Sequence, residues 1–374
     1  MLLQKNLIIF FKYFLKAKWV IKLPKKNKFV LVDSESNPFL KYIKKKDFTI
    51  LHRRGEEINF SILLKCLLKL RFTTLDYCAE FIRHVSPKLI LTAFDYHTIF
   101  YKLSKKTGIK TLMLQKGKRA YTEGLYPDRH FYFPKNSKKE FFVDYSLVYN
   151  SAVKNFYSKR IGGKFFEIGS LENNLTKPNL KTQKKEIIFV SNFSLKNSNK
   201  SEYEDIVAFH LNKLAVKNKI KFNILPRFRN RSLKKLNKEK SFYNKILKNK
   251  VSFITNKDKT SYDLLLKYKY VFATYSTIAQ ECLVKGIRVG FVMLKSQKNP
   301  YYGARFGLFE KLKSNGLFWT CSNKLNISEI VRVFNFVTKT KYVKWLDKTN
   351  PYYKLIMKFD YKNKIFNKIL KEIY

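Results

Sequence analysis

Hydroxyl side chains placed where a buried strand gives way to a helix are the raw material of a phosphate site. Residues 274–286 read Thr-Tyr-Ser-Thr-Ile-Ala-Gln-Glu-Cys-Leu-Val-Lys-Gly, and the apolar run 270–273 leads into them. Ser276 or Thr277 can cap the following helix. Free N–H groups in its first turn would then meet an anion without help from a metal. Glu281, one turn further in, offers an acceptor to ribose hydroxyls. An ordinary capped helix with a solvated Glu281 is the plainer reading of the same residues.

A second group follows another short apolar run, 222–225. It reads Pro226-Arg227-Phe228-Arg229-Asn230-Arg231. Arginine forks suit bidentate phosphate contact, so Arg227 and Arg229 are candidate phosphate ligands. A solvated basic loop is the rival, because the stretch from Arg227 to Lys240 is the most basic of a basic chain.

The first half of the chain holds candidates for a general base. Asp95 and His97 follow the apolar run 89–93, and Glu123 follows the turn Gln115-Lys116-Gly117-Lys118-Arg119. Each could take a proton from an acceptor hydroxyl. Each also has a structural alternative: a helix cap for Asp95, a loop carboxylate for Glu123, a packed ring for His97. Asp95 is favoured, since a strand end holds a base more rigidly than a loop does.

The elements that must position these residues alternate. Short Val-, Ile- and Phe-rich runs at 29–32, 48–51, 89–93, 111–114, 147–149 and 165–168 read as strands, with helical patterns at 58–70, 75–85 and 97–106. After a polar stretch the alternation restarts. Strands fall at 187–190, 222–225, 251–254, 270–273 and 289–292, and helices at 203–216, 277–285, 327–337 and 352–374. Strand–helix alternation predicts an α/β protein with mostly parallel sheets. The expected organisation is a basic amphipathic helix (1–20), an acceptor-side Rossmann-like domain (21–171), a linker (172–185), a nucleotide-sugar-binding Rossmann-like domain (186–345) and a helical segment (346–374).

Composition narrows the partners. Of 374 residues, 77 are Lys or Arg and 27 Asp or Glu, a net charge of +50, while 45% are hydrophobic, so a folded core accompanies the charge. The lysines are spread along the whole chain. No RNA-binding aromatic signature or zinc finger accompanies them, which argues against a specific nucleic-acid module. Cys66, Cys78, Cys282 and Cys321 form no Cys-x-x-Cys pair; Cys66 and Cys282 read as core residues, and no metal site is expected. In residues 1–20, Lys5, Lys12 and Lys16 oppose Leu3, Ile8, Phe10, Phe14 and Trp19, the pattern of a helix lying in an anionic membrane interface. There is no Asp-x-Asp, no Gly-x-x-x-x-Gly-Lys-Ser/Thr and no Gly-x-Gly-x-x-Gly. Those absences weaken metal-dependent GT-A, P-loop ATPase and dehydrogenase readings. Without Gly-x-Ser-x-Gly, an α/β-hydrolase is unsupported too.

Two resemblances follow from these motifs. Residues 274–286, with Gly286-Ile287-Arg288-Val289 opening the next strand, resemble the nucleotide-sugar motif of GT-B glycosyltransferases, which implies that Ser276 and Thr277 face the donor phosphate. A strand ending near Asp95, an aromatic-rich helix and then Gln115-x-Gly117-x-Arg119 resemble the bacterial surface carbohydrate biosynthesis family of lipopolysaccharide and capsule assembly. Ile168-Gly169-Ser170-Leu171 with Asn173-Asn174 matches the same family. So does Tyr302-Gly303-Ala304-Arg305-Phe306 with Gly316-Leu317-Phe318-Trp319. Lys116 and Tyr96 stand where that family usually has Asn. The resemblance implies two doubly wound domains facing a cleft. It implies a cofactor-free transferase that takes a nucleotide-sugar donor and a glycan or lipid-linked acceptor at the cytoplasmic face of the inner membrane. A polyol-phosphate transferase, a sugar-nucleotide 2-epimerase and a non-catalytic basic membrane- or nucleic-acid-binding protein are the alternatives.

Overall fold

The computed structural model describes residues 17–33, 38–53, 56–95, 97–117, 137–195, 202–230, 232–247, 251–274, 276–294, 315–322 and 324–373. In chain order the first strands are β1 (Lys18–Val20), β2 (Phe29–Val32), β3 (Phe48–Leu51), β4 (Glu57–Asn59), β5 (Leu89–Thr92), β6 (Lys110–Leu114), β7 (Phe142–Val148) and β8 (Gly162–Glu167). They are followed by β9 (Lys184–Val190), β10 (Phe222–Leu225), β11 (Ser252–Phe253), β12 (Tyr268–Ala273), β13 (Arg288–Leu294), β14 (Asn315–Gly316) and β15 (Trp319–Ser322).

The sequence Phe-Val-Leu-Val of β2 and Leu-Ile-Leu-Thr of β5 is buried at every position. Such uninterrupted burial is what a parallel sheet covered on both faces requires. Six strands form that sheet in the order β3-β2-β5-β6-β7-β8, all parallel. Counted along the chain this is 2-1-3-4-5-6, so the winding reverses between β2 and β5. The second sheet orders β11-β10-β9-β12-β13-β15-β14. Leaving aside its antiparallel edge strand β14, this is the order 3-2-1-4-5-6, and the reversal lies between β9 and β12. Ligands of open parallel sheets bind outside the carboxyl ends of strands at such reversal points.

Apolar residues fill both faces of the first sheet. One face takes helix Thr74–Val85 through Cys78, Phe81 and Ile82; the other takes the C-terminal helix Lys364–Ile373 through Phe366 and Ile369. The chain thus ends by returning to its first sheet. Each fully buried Leu or Ile in these layers contributes about 2 kcal/mol. All four cysteines are buried, so Cys66 and Cys282 are core residues as expected.

Several elements differ from the sequence reading. Residues 18–20 of the expected N-terminal helix form strand β1, paired with β4; residues 1–16 lie outside the described residues. The helix expected over 58–70 is Phe60–Leu68, because Asn59 accepts a hydrogen bond from Ile62 N at 3.0 Å and caps it there. The helix expected at 97–106 starts only at Phe100. The pattern at 352–374 is two helices, Tyr342–Ile356 and Lys364–Ile373, parted where Lys362 and Asn363 take positive φ of 63° and 53°. Helix Leu233–Ile246 was not anticipated. It starts on Ser232, which accepts from Lys235 N, and its Leu236, Glu239 and Tyr243 face inward, so most of the basic 227–240 stretch is the wet face of an amphipathic helix. No helix among the described residues is long and apolar enough to cross a membrane.

Candidate functional site

At the reversal point of the second sheet, β9 ends in Ser191-Asn192 and β12 in Thr274. Asn192 Nδ2 donates to Thr274 Oγ1 across the gap at 3.3 Å. Ser276 opens helix Thr277–Leu283, and its hydroxyl does not cap that helix. Arg227, just past β10, is exposed; its Nη1 donates to the carbonyls of Asn192 (3.1 Å) and Phe193 (3.2 Å). Among the described residues only its Nη1 is hydrogen-bonded, which leaves its other two guanidinium nitrogens as donors for a ligand. The sheet therefore sets Arg227 after β10 and Ser276 and Thr277 after β12, on either side of β9. Arg229 does not join them. It is 3% exposed, and its Nη1 donates to the carbonyls of Asn256 and Lys259 and its Nη2 to Ser261 Oγ, so its fork staples one loop to the next. Arg231 lies outside the described residues.

Two buried carboxylates hang these loops in place. Glu239 Oε1 accepts from Arg227 N (2.8 Å) and from Ser191 Oγ, and its Oε2 from Phe228 N (2.9 Å). Glu204 Oε1 accepts from Asn192 N (2.6 Å) and from Tyr243 Oη (2.7 Å). Burial pushes the Glu204 carboxyl up to about 7 and raises that of Glu239, each against hydrogen bonds that favour the charged form. Neither glutamate was singled out from the sequence. The available signal was Glu239 on the inward stripe with Leu236 and Tyr243.

A pH dependence follows. Glu204 binds its proton more tightly folded than unfolded, where its value is near 4.5. Its contribution is full below that unfolded value and is lost as pH rises to about 7. Glu204→Gln keeps an acceptor oxygen and removes the buried charge. The variant should match wild type at about pH 4 and be more stable by about 2 kcal/mol at about pH 8. Urea denaturation at the two pH values measures this; equal stability at pH 8 would place the charge at no cost.

The first sheet's reversal point carries a different group. Asp33 ends β2 at φ 55°, Arg53 follows β3, and His97 follows β5. Asp33 Oδ1 accepts from Arg53 N at 2.9 Å, and its Oδ2 lies 3.6 Å from Arg53 Nε and 4.0 Å from His97 Nε2. Arg53 Nη2 is 2.7 Å from His97 Nε2 and 2.8 Å from Nδ1. A guanidinium can only donate, so the ring nitrogen it meets offers a lone pair. The His97 side chain is 11% exposed. Sequence reasoning missed Asp33 and Arg53; the available signal was their place just after the runs 29–32 and 48–51, both read as strands.

The other base candidates are placed differently. Asp95 is fully buried; Tyr157 Oη donates to its Oδ2 at 3.0 Å, and Tyr101 Oη to its carbonyl at 2.8 Å. Glu123 and Arg119 lie outside the described residues. Gln115 is internal: its Oε1 accepts from Tyr149 N (2.9 Å) and its Nε2 donates to Gly117 O (3.0 Å), so Gln115 and Gly117 build the turn.

Residues 112–374 match the family described as "putative O-antigen biosynthesis protein". The chain belongs to this O-antigen biosynthesis family. No curated protein matches it significantly in sequence. Among solved structures it is similar to the wall teichoic acid polymerase TagF (13% identity, TM-score 0.53, covering 94% of this chain and 90% of that one). It is also similar to Anabaena HepE in complex with UDP and glucose (12%, TM-score 0.49, 92% and 98%). A third is the pneumococcal O-GlcNAc transferase GtfA in complex with UDP and GlcNAc (12%, TM-score 0.46, 80% and 60%). The chain spans about three-fifths of the length of GtfA. At such identities the likeness, which rests on TagF, is one of fold: two Rossmann-like parallel sheets of the GT-B kind.

In this O-antigen family member the Gly-Ser-x-x-Asn-Asn stretch joins the two sheets. Gly169 has φ 70° and bridges to Phe359. Asn174 Nδ2 donates to Ile168 O (2.8 Å) and Asn363 Oδ1 (2.7 Å), while its Oδ1 accepts from Asp360 N (3.0 Å). Asn173 Nδ2 donates to Glu281 O at 3.2 Å. Glu281 itself is 3% exposed and is turned into this junction: Tyr262 Oη donates to its Oε2 at 2.9 Å and Ser170 to its carboxylate, and burial pushes it up to about 7. Lys285 Nζ reaches Thr176 Oγ1 at 2.6 Å, and burial lowers it to about 8.

Proposed function

We propose that this O-antigen family member is a metal-independent GT-B glycosyltransferase, moving a sugar from a nucleotide-sugar to a glycan or lipid-linked acceptor of surface polysaccharide. The observation that carries the reading is that Arg227 follows β10 and Ser276 and Thr277 follow β12, on either side of β9, at the carboxyl-end reversal point of the second sheet. Donor phosphate oxygens would accept from the two hydroxyls and the arginine, and that fixed positive field would stabilise the phosphate as it departs. In the first sheet's crevice, His97 would take the proton of the acceptor hydroxyl on the ring lone pair that Arg53 now meets, Arg53 giving that lone pair up to the incoming hydroxyl while Asp33 still holds the Arg53 backbone N–H. Glu204 and Glu239 hold the donor loops without touching the donor.

The reading is tested by calorimetry. Ser276→Ala combined with Thr277→Ala should weaken nucleotide binding about 10- to 100-fold, the loss of one or two charge-assisted hydrogen bonds. Its melting temperature should stay close to wild type, because Ser276 does not cap the helix. Undiminished affinity would remove these hydroxyls from the donor site.

A further inference from the structure

Helix Phe60–Leu68 is apolar on both sides. Ile62 and Cys66 point into the core, while Phe60, Leu64, Leu67 and Leu68, at positions i, i+4, i+7 and i+8, form a second stripe on the outside. Leu68 is 77% exposed, and just beyond the helix Leu70 and Phe72 are 78% and 72% exposed. Strand β1 extends the same surface. Trp19 packs edge-on against Phe60 with ring centroids 6.3 Å apart, and Ser61 Oγ donates to the carbonyl of Ile21, itself 75% exposed, at 2.6 Å. A continuous apolar patch of this kind on a folded domain marks a surface that meets something.

Its surroundings say what. Lys18, Lys22, Lys25, Lys26, Lys65, Lys69 and Arg71 lie in the same two segments. Glu57 engages Lys18 at 3.4 Å, and Glu80 engages Lys69 at 2.8 Å and Arg71 at 3.7 Å. The remaining balance is strongly positive. Large apolar side chains ringed by flexible cations fit a boundary that is apolar within and anionic at its rim. A tryptophan beside them suits the headgroup level. A protein groove would offer no reason for so many cations at the edge.

We infer that the outer face of helix Phe60–Leu68, with Trp19, Ile21, Leu70 and Phe72, docks the protein on an anionic lipid bilayer. Of the helix expected over residues 1–20, this surface takes in only Lys18 and Trp19, which form part of strand β1, and it does not depend on the donor reading. It belongs to the domain that carries His97, so docking would bring that crevice to the side where a lipid-borne acceptor resides.

The test uses the full chain and sedimentation with phosphatidylcholine vesicles, with and without about one-third phosphatidylglycerol. Wild type should bind the anionic vesicles at least tenfold more tightly than the neutral ones. The variant Leu64→Glu/Leu68→Glu/Leu70→Glu/Phe72→Glu should lose at least tenfold in binding to them. Its melting temperature should be unchanged, since all four side chains are on the outside. Lys65→Gln/Lys69→Gln/Arg71→Gln, a variant that leaves the apolar stripe whole, should lose a smaller part of the binding. Three results would overturn the inference. One is undiminished binding by the glutamate variant together with release on deleting residues 1–16. Another is equal binding to neutral vesicles. The third is a change from dimer to monomer in that variant with vesicle binding intact, which would make the patch a contact between copies of the chain.

Discussion

His97→Gln should lower sugar transfer about 100- to 10,000-fold, the usual loss when a general base is removed. Nucleotide affinity should stay near wild type, because His97 is on the first sheet and the donor residues are on the second. Glutamine keeps an acceptor for Arg53 but cannot carry the proton away. Asp33→Asn should act through orientation: Asp33 holds Arg53 through its backbone N–H and lies 4.0 Å from the ring, so a loss of about tenfold is expected, with a shifted pH profile. Asp95→Asn is the informative contrast. Its carboxylate is buried and bound to Tyr157, so the variant should lose stability before it loses turnover. Steady-state rates with a known donor and acceptor decide between them. If Asp95→Asn loses activity with its stability intact while His97→Gln turns over normally, the base is Asp95.

Gly169→Val should cost about 3 kcal/mol or more and sharply reduce soluble yield. Two separate penalties add at this position. The residue sits at φ 70°, where a β-branched side chain is strained, and a Cβ there would meet the Lys358 carbonyl oxygen at 1.8 Å. Moving aside is expensive because residues 357–360 are pinned by Tyr149 and Asn174: Lys358 N donates to Tyr149 O at 2.8 Å and Asp360 N to Asn174 Oδ1 at 3.0 Å. Gly108→Ala supplies the control. Its φ is 74°, but nothing lies within 4 Å of the added carbon, so only the conformational penalty of about 1 kcal/mol should appear. Denaturation midpoints in urea measure both; equal losses would show that the close approach to Lys358 does not matter.

The alternation of short buried runs and amphipathic helices was enough to read an α/β chain with two parallel sheets, because full burial on both faces leaves an uninterrupted apolar signature in β2, β5 and residues 187–190 of β9. Strand order was not legible, since pairing is long-range. Without it the reversal points at β2/β5 and β9/β12 could not be located. Asp33 and Arg53 also follow runs read as strands, 29–32 and 48–51, but unlike the hydroxyl pair Ser276-Thr277 and the arginines around Arg227 they carry no neighbouring motif that suggests a ligand. Arg227 and Arg229 look alike in sequence. Only burial separates the exposed one, beside Asn192, from the one whose N–H groups are taken by Asn256, Lys259 and Ser261. Glu281 shows the same limit. One turn into a helix it could face ribose or the protein, and the Ser170–Tyr262 contacts place it in the junction. The Gly169–Asn174 motif was recognised by resemblance, and the hydrogen bonds to Asp360 and Asn363 supply its physical reason.

The most direct test of the transferase reading is a thermal-shift panel of UDP, GDP, CMP and CDP on the purified full chain, with duplex DNA and RNA as controls. One nucleotide class should raise the melting temperature in proportion to the logarithm of its concentration. The same shift should need about 10- to 100-fold more nucleotide in the Ser276→Ala/Thr277→Ala variant and be preserved in His97→Gln. Stabilisation by nucleic acid alone, falling steeply with salt and matched by none of the four nucleotides, would contradict the account and leave a basic binding protein in its place.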